Sequence, residues 1–464
     1  MTAELTPAQP APRLRPLDAI ALLVGVVVGV GIFRAPGLVA AGADGPSSFV
    51  GLWVLGGALS MIGALCYAEL VTAFPSAGGE YHFLQRALGR DVAYLFAWAR
   101  LSVIGTGSIA LLAFVFGDHL ATLAPLGTYG SAIYGAVLVV TLVGVNVLGL
   151  RFGTTVQNVS TALLVLGLVA VVVAGMLATP TPVEAAAPRT STVGLAMVFV
   201  LLTFGGWNEA AYLSAEVRGG RRRMAAVILA GVGAITAIYV LANVAYVRVL
   251  GMDGLRASET VGVDLMTTLV GPAGAAIVSL LVAAAALTSM NATILTVART
   301  AFALGNDVRP LRWLGRWDER ASAPVPALLA LGAFALALIG LGAAARRGFA
   351  TMVEYTAPVF WGFFFLTGLS LFVLRRKEPR AERPFRVPLY PVTPLVFCAT
   401  CAWLLHASLA HTRFGALVGL AVLVLGAVPL WIGRGASSSR AKETADEPTL
   451  DDRGREHERA PRGV

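Results

Sequence analysis

Apolar runs of bilayer-spanning length recur along nearly the whole of this chain, and they restrict its fold more than any other feature. Ala19 to Val30, Leu101 to Gly117, Ile133 to Leu150 and Leu163 to Leu177 are almost wholly apolar. A hydrocarbon core takes about 20 residues of helix to cross. Inside it every backbone N–H and C=O must be satisfied within the protein, so segments of this kind read as helices. Charge agrees: 13% of the residues are charged and 57% hydrophobic, whereas soluble domains carry about 25% charged residues. The chain reads as an all-α polytopic membrane protein. Twelve helices fall near 17–41, 49–73, 91–117, 130–150, 156–178, 192–216, 224–250, 272–303, 325–344, 351–375, 389–409 and 413–433.

Residues 1–16 are polar and form a short N-terminal segment, with no cleavage site that would remove the first span. Residues 434–464 are charged and poor in apolar side chains, a composition that reads as a disordered tail. With the N-terminus inside, loops on that side hold about five times as many Lys and Arg as the opposite loops, which contribute Arg189, Arg256, Arg346, Arg347 and Arg413. Both termini are therefore expected in the cytoplasm, with the twelve helices in the cytoplasmic (inner) membrane. The net charge of +9 is topological and does not call for nucleic acid. Cys398 and Cys401 lie in an apolar run and read as packing residues rather than a metal or redox pair. The five histidines show no metal-ligand spacing and no GxxxxGK[ST] loop is present, so neither a metal, a cofactor, an enzyme activity nor ATP drive is expected.

Two spans are interrupted by glycine clusters. The first contains Gly25-Val26-Val27-Val28-Gly29-Val30-Gly31-Ile32-Phe33 and the sixth contains Thr203-Phe204-Gly205-Gly206-Trp207-Asn208. Each opens one half of the chain. Paired interruptions of this kind point to a transporter site near the bilayer midplane, between two repeats. Unwinding exposes N–H groups, which suit a carboxylate, and C=O groups, which suit an ammonium; a zwitterionic amino acid carries both. The alternative for either cluster alone is small-residue helix packing. Their matched positions favour the site.

Taken in order, further motifs resemble the amino acid–polyamine–organocation (APC) permeases from about Leu17 to Trp431. They are Gly29-Val30-Gly31-Ile32-Phe33, Ala68-Glu69-Leu70, Pro75-Ser76-Ala77-Gly78-Gly79-Glu80-Tyr81, Phe204-Gly205-Gly206-Trp207-Asn208, Ala215-Glu216-Val217, Asn291, Arg299 and Glu382-Arg383-Pro384-Phe385-Arg386-Val387-Pro388. The resemblance implies a 5+5 inverted repeat with broken helices 1 and 6, plus two C-terminal helices. In this numbering the membrane domain is 17–433, with repeat one at 17–178, repeat two at 192–375 and the extra helices at 389–433. It also implies secondary transport of amino acids or amines by alternating access, proton-coupled or by exchange.

Carried over, the carboxylate site is the backbone of Gly29, Val30 and Gly31. The ammonium meets carbonyls near Val27, Leu202, Thr203 and Gly205. Many relatives have an aromatic gate where this chain has Leu202, and Phe204 or Trp207 are the candidate substitutes, with an ordinary core role as the alternative. A lysine found in the fifth span of some proton-linked relatives aligns with Leu164, and the only lysines here are Lys377 and Lys442, which excludes a lysine switch. Thr293 and Thr296 are weak candidates for a sodium site.

Ionisable groups within spans are functional candidates by default. Glu209, just past the sixth-span break, is a candidate for proton exchange or for contact with a cationic substrate. Glu69, Glu216 and Arg299, with Asn291, are candidates for an inner gate or for bracing. Glu80 reads as a loop anchor, and Arg34 and Arg100 are open. The expectation is a permease for neutral amino acids. Cationic amino acids or polyamines are the alternative substrates, and a non-transporting sensor is the alternative class.

Overall fold

The computed structural model describes residues 20, 23–24, 27–76, 79–149, 154–179, 193–209, 221–307, 311–319, 321, 323–411 and 417–428. Gly25, Val26, Glu216, the N-terminal segment and the tail lie outside the described residues. The described part of the protein is helical. After a break at Val28–Gly29 come a 3₁₀ turn, Val30–Phe33, and α1 (Ala35–Ala41); α2 (Pro46–Ala73) is the second span. Two ten-residue helices, α3 (Gly79–Leu88) and α4 (Arg90–Ala99), lead through a π-helical turn, Arg100–Ile104, into α5 (Gly105–Leu123). Then follow α6 (Gly130–Val147), α7 (Thr154–Leu177), α8 (Val193–Thr203), α9 (Arg221–Ala257) and α10 (Val261–Val270). The chain continues through α11 (Pro272–Asp307), α12 (Val325–Ala344), α13 (Gly348–Lys377), α14 (Val392–His411) and α15 (Leu417–Val428).

Eight of these stretches are long and apolar enough to cross a membrane, and shorter apolar helices occupy 162–177, 193–203, 261–270 and 417–428. The polytopic all-α expectation holds. Large apolar side chains left exposed on helix surfaces, such as Val137, Val140, Leu166, Ile277, Leu280 and Leu329, are what lipid-facing positions require. Two helices were not foreseen as elements. α3 carries Glu80, His82, Gln85 and Arg86 among its ten residues, and α10 is too short to span. Glu80, read from sequence as a loop residue, stands instead in the first turn of α3.

Packing follows the two-halves pattern. α2 packs along α9, α5 along α11, α6 against α12, and α1 against α8, so the first four spans each meet the one five places later, while α7 packs on α9 and α11. The apolar core divides accordingly. One cluster gathers the residues of the broken helices with those of α2 and α9; the other gathers those of α5, α6, α11 and α12, and α13 contributes to both. Close approach depends on missing side chains. A Cβ at Gly57 would stand 2.2 Å from Thr236 Cγ2, and α2 could not then lie against α9 as it does.

Candidate functional site

The first break has a short description in backbone bonds. Val28 N–H donates to Val24 O at 2.7 Å, ending the helix, and Gly29 N–H turns back to Val27 O at 2.7 Å. Gly29 is extended (φ −100°, ψ −171°) and precedes the 3₁₀ turn. The first N–H groups of any helical turn have no partner within it. Here those are the amides of Val30 and Gly31, two of the three residues the sequence assigns to a carboxylate.

The second break ends α8 at Thr203. Phe204 N–H donates to Val200 O and Gly205 N–H to Leu202 O, both at 3.0 Å. Gly206 then takes φ +110°, a left-handed conformation that side chains resist. A 3₁₀ turn, Trp207–Glu209, follows. The two breaks touch: a Cβ at Gly31 would lie 3.4 Å from Thr203 Cγ2 and 3.5 Å from Thr203 Oγ1.

A residue that sequence reasoning passed over joins them. Tyr239, fully buried on α9, donates its hydroxyl towards Val27 O at 2.8 Å, and Thr203 O lies 3.3 Å away. A carbonyl has two lone pairs, so Val27 O, which also accepts from Gly29, is already filled. Leu202 O accepts from Gly205 N–H, and Thr203 O faces the same tyrosine hydroxyl. Around the junction Phe204 packs on Tyr239 (centroids 5.1 Å) and Trp53 (6.2 Å), and Trp53 meets Tyr239 edge-on at 6.1 Å. Phe204 is thus a wall residue of the core. Leu202 is half-buried beside it. Trp207 faces elsewhere, against Tyr67 (5.0 Å) and Phe364 (5.8 Å), and with Gly205, Ser60, Trp361 and Cys401 it lines a small cavity between α2, α13 and α14.

Beyond the second break lies a charged cluster. Arg100, at the start of the π-helical turn, donates through one terminal nitrogen to both Glu209 oxygens at 3.0 and 3.1 Å, and its other terminal nitrogen is 3.9 Å from Glu80. Tyr67 O–H donates to Glu80 at 2.5 Å, and Asn208 Nδ2 donates to the same oxygen at 3.4 Å. Glu209 therefore does not stand as a free acid at the break; its carboxylate is held by a guanidinium. Neither this pairing nor Glu80's burial was visible in sequence.

The remaining candidates separate from the breaks. Glu69 is enclosed at the end of α2, where it accepts from Arg375 (2.8 and 2.6 Å) and from Val387 N–H (2.7 Å), with Arg383 at 3.4 Å. This braces α2 to α13 and the loop before α14. Arg299 lies exposed on α11, and Glu216 is outside the described residues. Asn291 accepts from Asn146 at 2.8 Å, a buried tie between α6 and α11. Thr293 and Thr296 donate to Ser289 O and Thr293 O in their own helix. Arg34, directly after the first 3₁₀ turn, donates to the Glu259 carbonyl and lies 3.8 Å from Asp118, at the α10 end of the molecule.

Comparison with known proteins agrees with this architecture. The amino acid permease family model matches residues 14–428. The chain is 30% identical over 386 residues to b(0,+)-type amino acid transporter 1 of Mus musculus, covering 81% of this chain and 78% of that protein. It is 25% identical to the serine/threonine exchanger SteT of Bacillus subtilis (strain 168) over 90% of this chain and 95% of that one. With the large neutral amino acids transporter small subunit 2 of Mus musculus it shares 27% identity, over 90% and 80% of the two chains. The chain belongs to the amino acid permease family of the APC superfamily, and is a multi-pass membrane transporter of amino acids rather than an enzyme.

Proposed function

We propose that the protein exchanges neutral amino acids across the cytoplasmic membrane by alternating access, with both termini and α3 on the cytoplasmic side. The substrate carboxylate meets the amides of Val30 and Gly31, beside Gly29, whose own N–H is taken by Val27 O. The substrate's ammonium meets the carbonyls of Leu202 and Thr203, near Gly205, and its side chain lies by Phe204, with Trp207 turned away from the junction. Repeats at 17–178 and 192–375 rock about this point, within the 17–433 membrane domain. The observation that carries the neutral assignment is the pairing of Glu209 with Arg100: the acid beside the second break is committed, so among the described residues no free carboxylate is offered there to a cationic side chain. The names of two relatives, a serine/threonine exchanger and a large neutral amino acids transporter, support the same reading. Exchange is favoured as the coupling mode, with proton movement through the Glu209 cluster as its alternative.

Purified protein in liposomes preloaded with unlabelled serine or leucine tests this. Labelled serine or leucine is expected to accumulate, and to do so only when the lumen holds amino acid. Accumulation of arginine or spermidine with no neutral uptake would overturn the substrate class. Thermal stabilisation by amino acids with no accumulation of any would identify a sensor.

Tyr239→Phe provides a sharper test of the junction. It keeps the ring packing and removes the one donor shared by Val27 O and Thr203 O. A buried acceptor left unsatisfied costs about 1–3 kcal/mol. Uptake is expected to fall at least ~10-fold (about 1.4 kcal/mol), with yield and gel-filtration profile retained. Uptake at the wild-type rate would show that the hydroxyl does not hold the breaks.

A further inference from the structure

Among the described residues, the charged cluster beside the second break has two carboxylates and one guanidinium within contact. The side chain of Glu80 is 3% exposed, that of Arg100 12% and that of Glu209 37%. Arg100 makes close contacts to Glu209, at 3.0 and 3.1 Å, and stands off from Glu80 at 3.9 Å. Glu80 instead receives two uncharged donors, Tyr67 O–H and Asn208 Nδ2, both on one oxygen. An ionised carboxylate buried without a close cation is strongly disfavoured, and it neutralises instead. The arrangement is therefore charge-balanced when Glu80 carries a proton and Glu209 does not.

We propose that Glu80, Arg100 and Glu209 form a one-proton site in which Glu80 holds the proton and the closed state of the α3 face depends on it. This rests on the transporter reading above and deepens it, moving the proton from Glu209 to Glu80. The cluster ties three elements that must separate for that face to open. Glu80 belongs to α3, and Arg100 to the span that continues into α5. Asn208 and Glu209 belong to the break that packs with the α2–α9 cluster. The groups facing Glu80 are Tyr67 from α2, Arg100 from the third span, and Asn208 and Glu209 from the break. On α3 itself Arg86 points away to Glu378, with His82 near that pair, and from α13 Lys377 donates to Ala87 O.

Burial raises the Glu80 carboxyl to about 7, against the opposing pull of Arg100 and the Tyr67 hydroxyl. In an open, hydrated state it returns towards its ordinary value of 4.5. The sign follows from linkage. The closed state binds the proton more tightly, so its advantage is complete below the open-state value. That advantage declines as pH rises and is gone above the closed-state value. Acid on the α3 side closes that face; the proton leaves to water as it opens.

Infrared spectroscopy of the full-length protein in lipid tests this without substrate. The wild type is expected to show a carboxylic acid C=O band that disappears with a midpoint near pH 7. Glu80→Gln abolishes that band. Glu209→Gln frees Arg100 to pair with Glu80, so the band persists at acid pH and its midpoint moves down. In liposomes, lowering the pH on the α3 side from 8 to 5.5 slows wild-type exchange several-fold, and Glu80→Gln flattens that profile. A titrating band that survives Glu80→Gln, or one lost in Glu209→Gln alone, overturns the proposal. If Glu80→Gln does not fold, the downward midpoint shift in Glu209→Gln decides. Because the band needs no amino acid, a failed uptake experiment leaves this test standing.

Discussion

Gly31→Val is expected to lower substrate affinity at least ~100-fold while the protein still purifies folded. The position is one at which the two broken helices face each other. A bare Cβ at Gly31 would already sit in van der Waals contact, 3.4 Å from Thr203 Cγ2 and 3.5 Å from Thr203 Oγ1. The two methyl groups of valine have to go further, into Thr203 or towards the amides of Val30 and Gly31. Thr203 cannot swing aside freely, because its hydroxyl is bonded back to Phe199 O at 2.8 Å. Overpacking alone costs about 1–3 kcal/mol, and ~100-fold in affinity corresponds to about 2.7 kcal/mol. The two breaks therefore separate, and the substrate loses contact with one of them. Gly31→Ala, which adds only a Cβ in ordinary contact with Thr203, is expected to cost no more than a few-fold. Ligand-induced thermal shift and uptake measure both. Equal affinity in wild type and Gly31→Val would mean that the substrate does not lie between the breaks.

That prediction depends on features the sequence displays unevenly. Span positions were readable because run length is a one-dimensional property: α12 lies where the run 325–344 places it, and α6 begins at the expected Gly130. The breaks were readable for the same reason, as glycine clusters local to Gly29–Gly31 and Gly205–Gly206. α3 and α10 were not: the ten residues of α3 are of mixed polarity and resemble a loop until something packs on them, and the ten largely apolar residues of α10 are too few to read as a span. Tyr239 was invisible for a different reason. It is one ring in an apolar span, and only the folded contact shows that its hydroxyl meets carbonyls 212 and 36 positions away. Arg100 and Glu209, 109 positions apart, could each be marked as ionisable residues within spans. Nothing in either neighbourhood identifies the other as its partner. Pairing across the repeats is what the sequence withholds, and it decides the role of Glu209.

Removing that partner is expected to produce one of the largest stability losses available to a single substitution. Arg100→Ala leaves Glu80 and Glu209 without the cation they share. Breaking a buried ion pair from one side costs about 3–5 kcal/mol; because Glu209 reaches water, about 3 kcal/mol at pH 8 is the expected figure. The loss depends on pH in a defined direction. At pH 5.5 Glu80 is protonated in wild type and variant alike, so the uncompensated charge is confined to the partly hydrated Glu209 and the defect shrinks. Thermal unfolding midpoints at the two pH values, measured in one detergent, give the comparison. Adding Glu80→Gln to Arg100→Ala removes the buried charge permanently, so the double variant is expected to recover most of the loss at pH 8 and to lose the pH dependence. Arg100→Lys separates charge from shape. An ammonium keeps the sign but has one nitrogen, and cannot face Glu209 and Glu80 together as the two terminal nitrogens of the guanidinium do, which places its midpoint between wild type and Arg100→Ala. A defect in Arg100→Ala that is equal at both pH values, and that Glu80→Gln does not relieve, would assign Arg100 to packing of the π-helical turn rather than to charge balance.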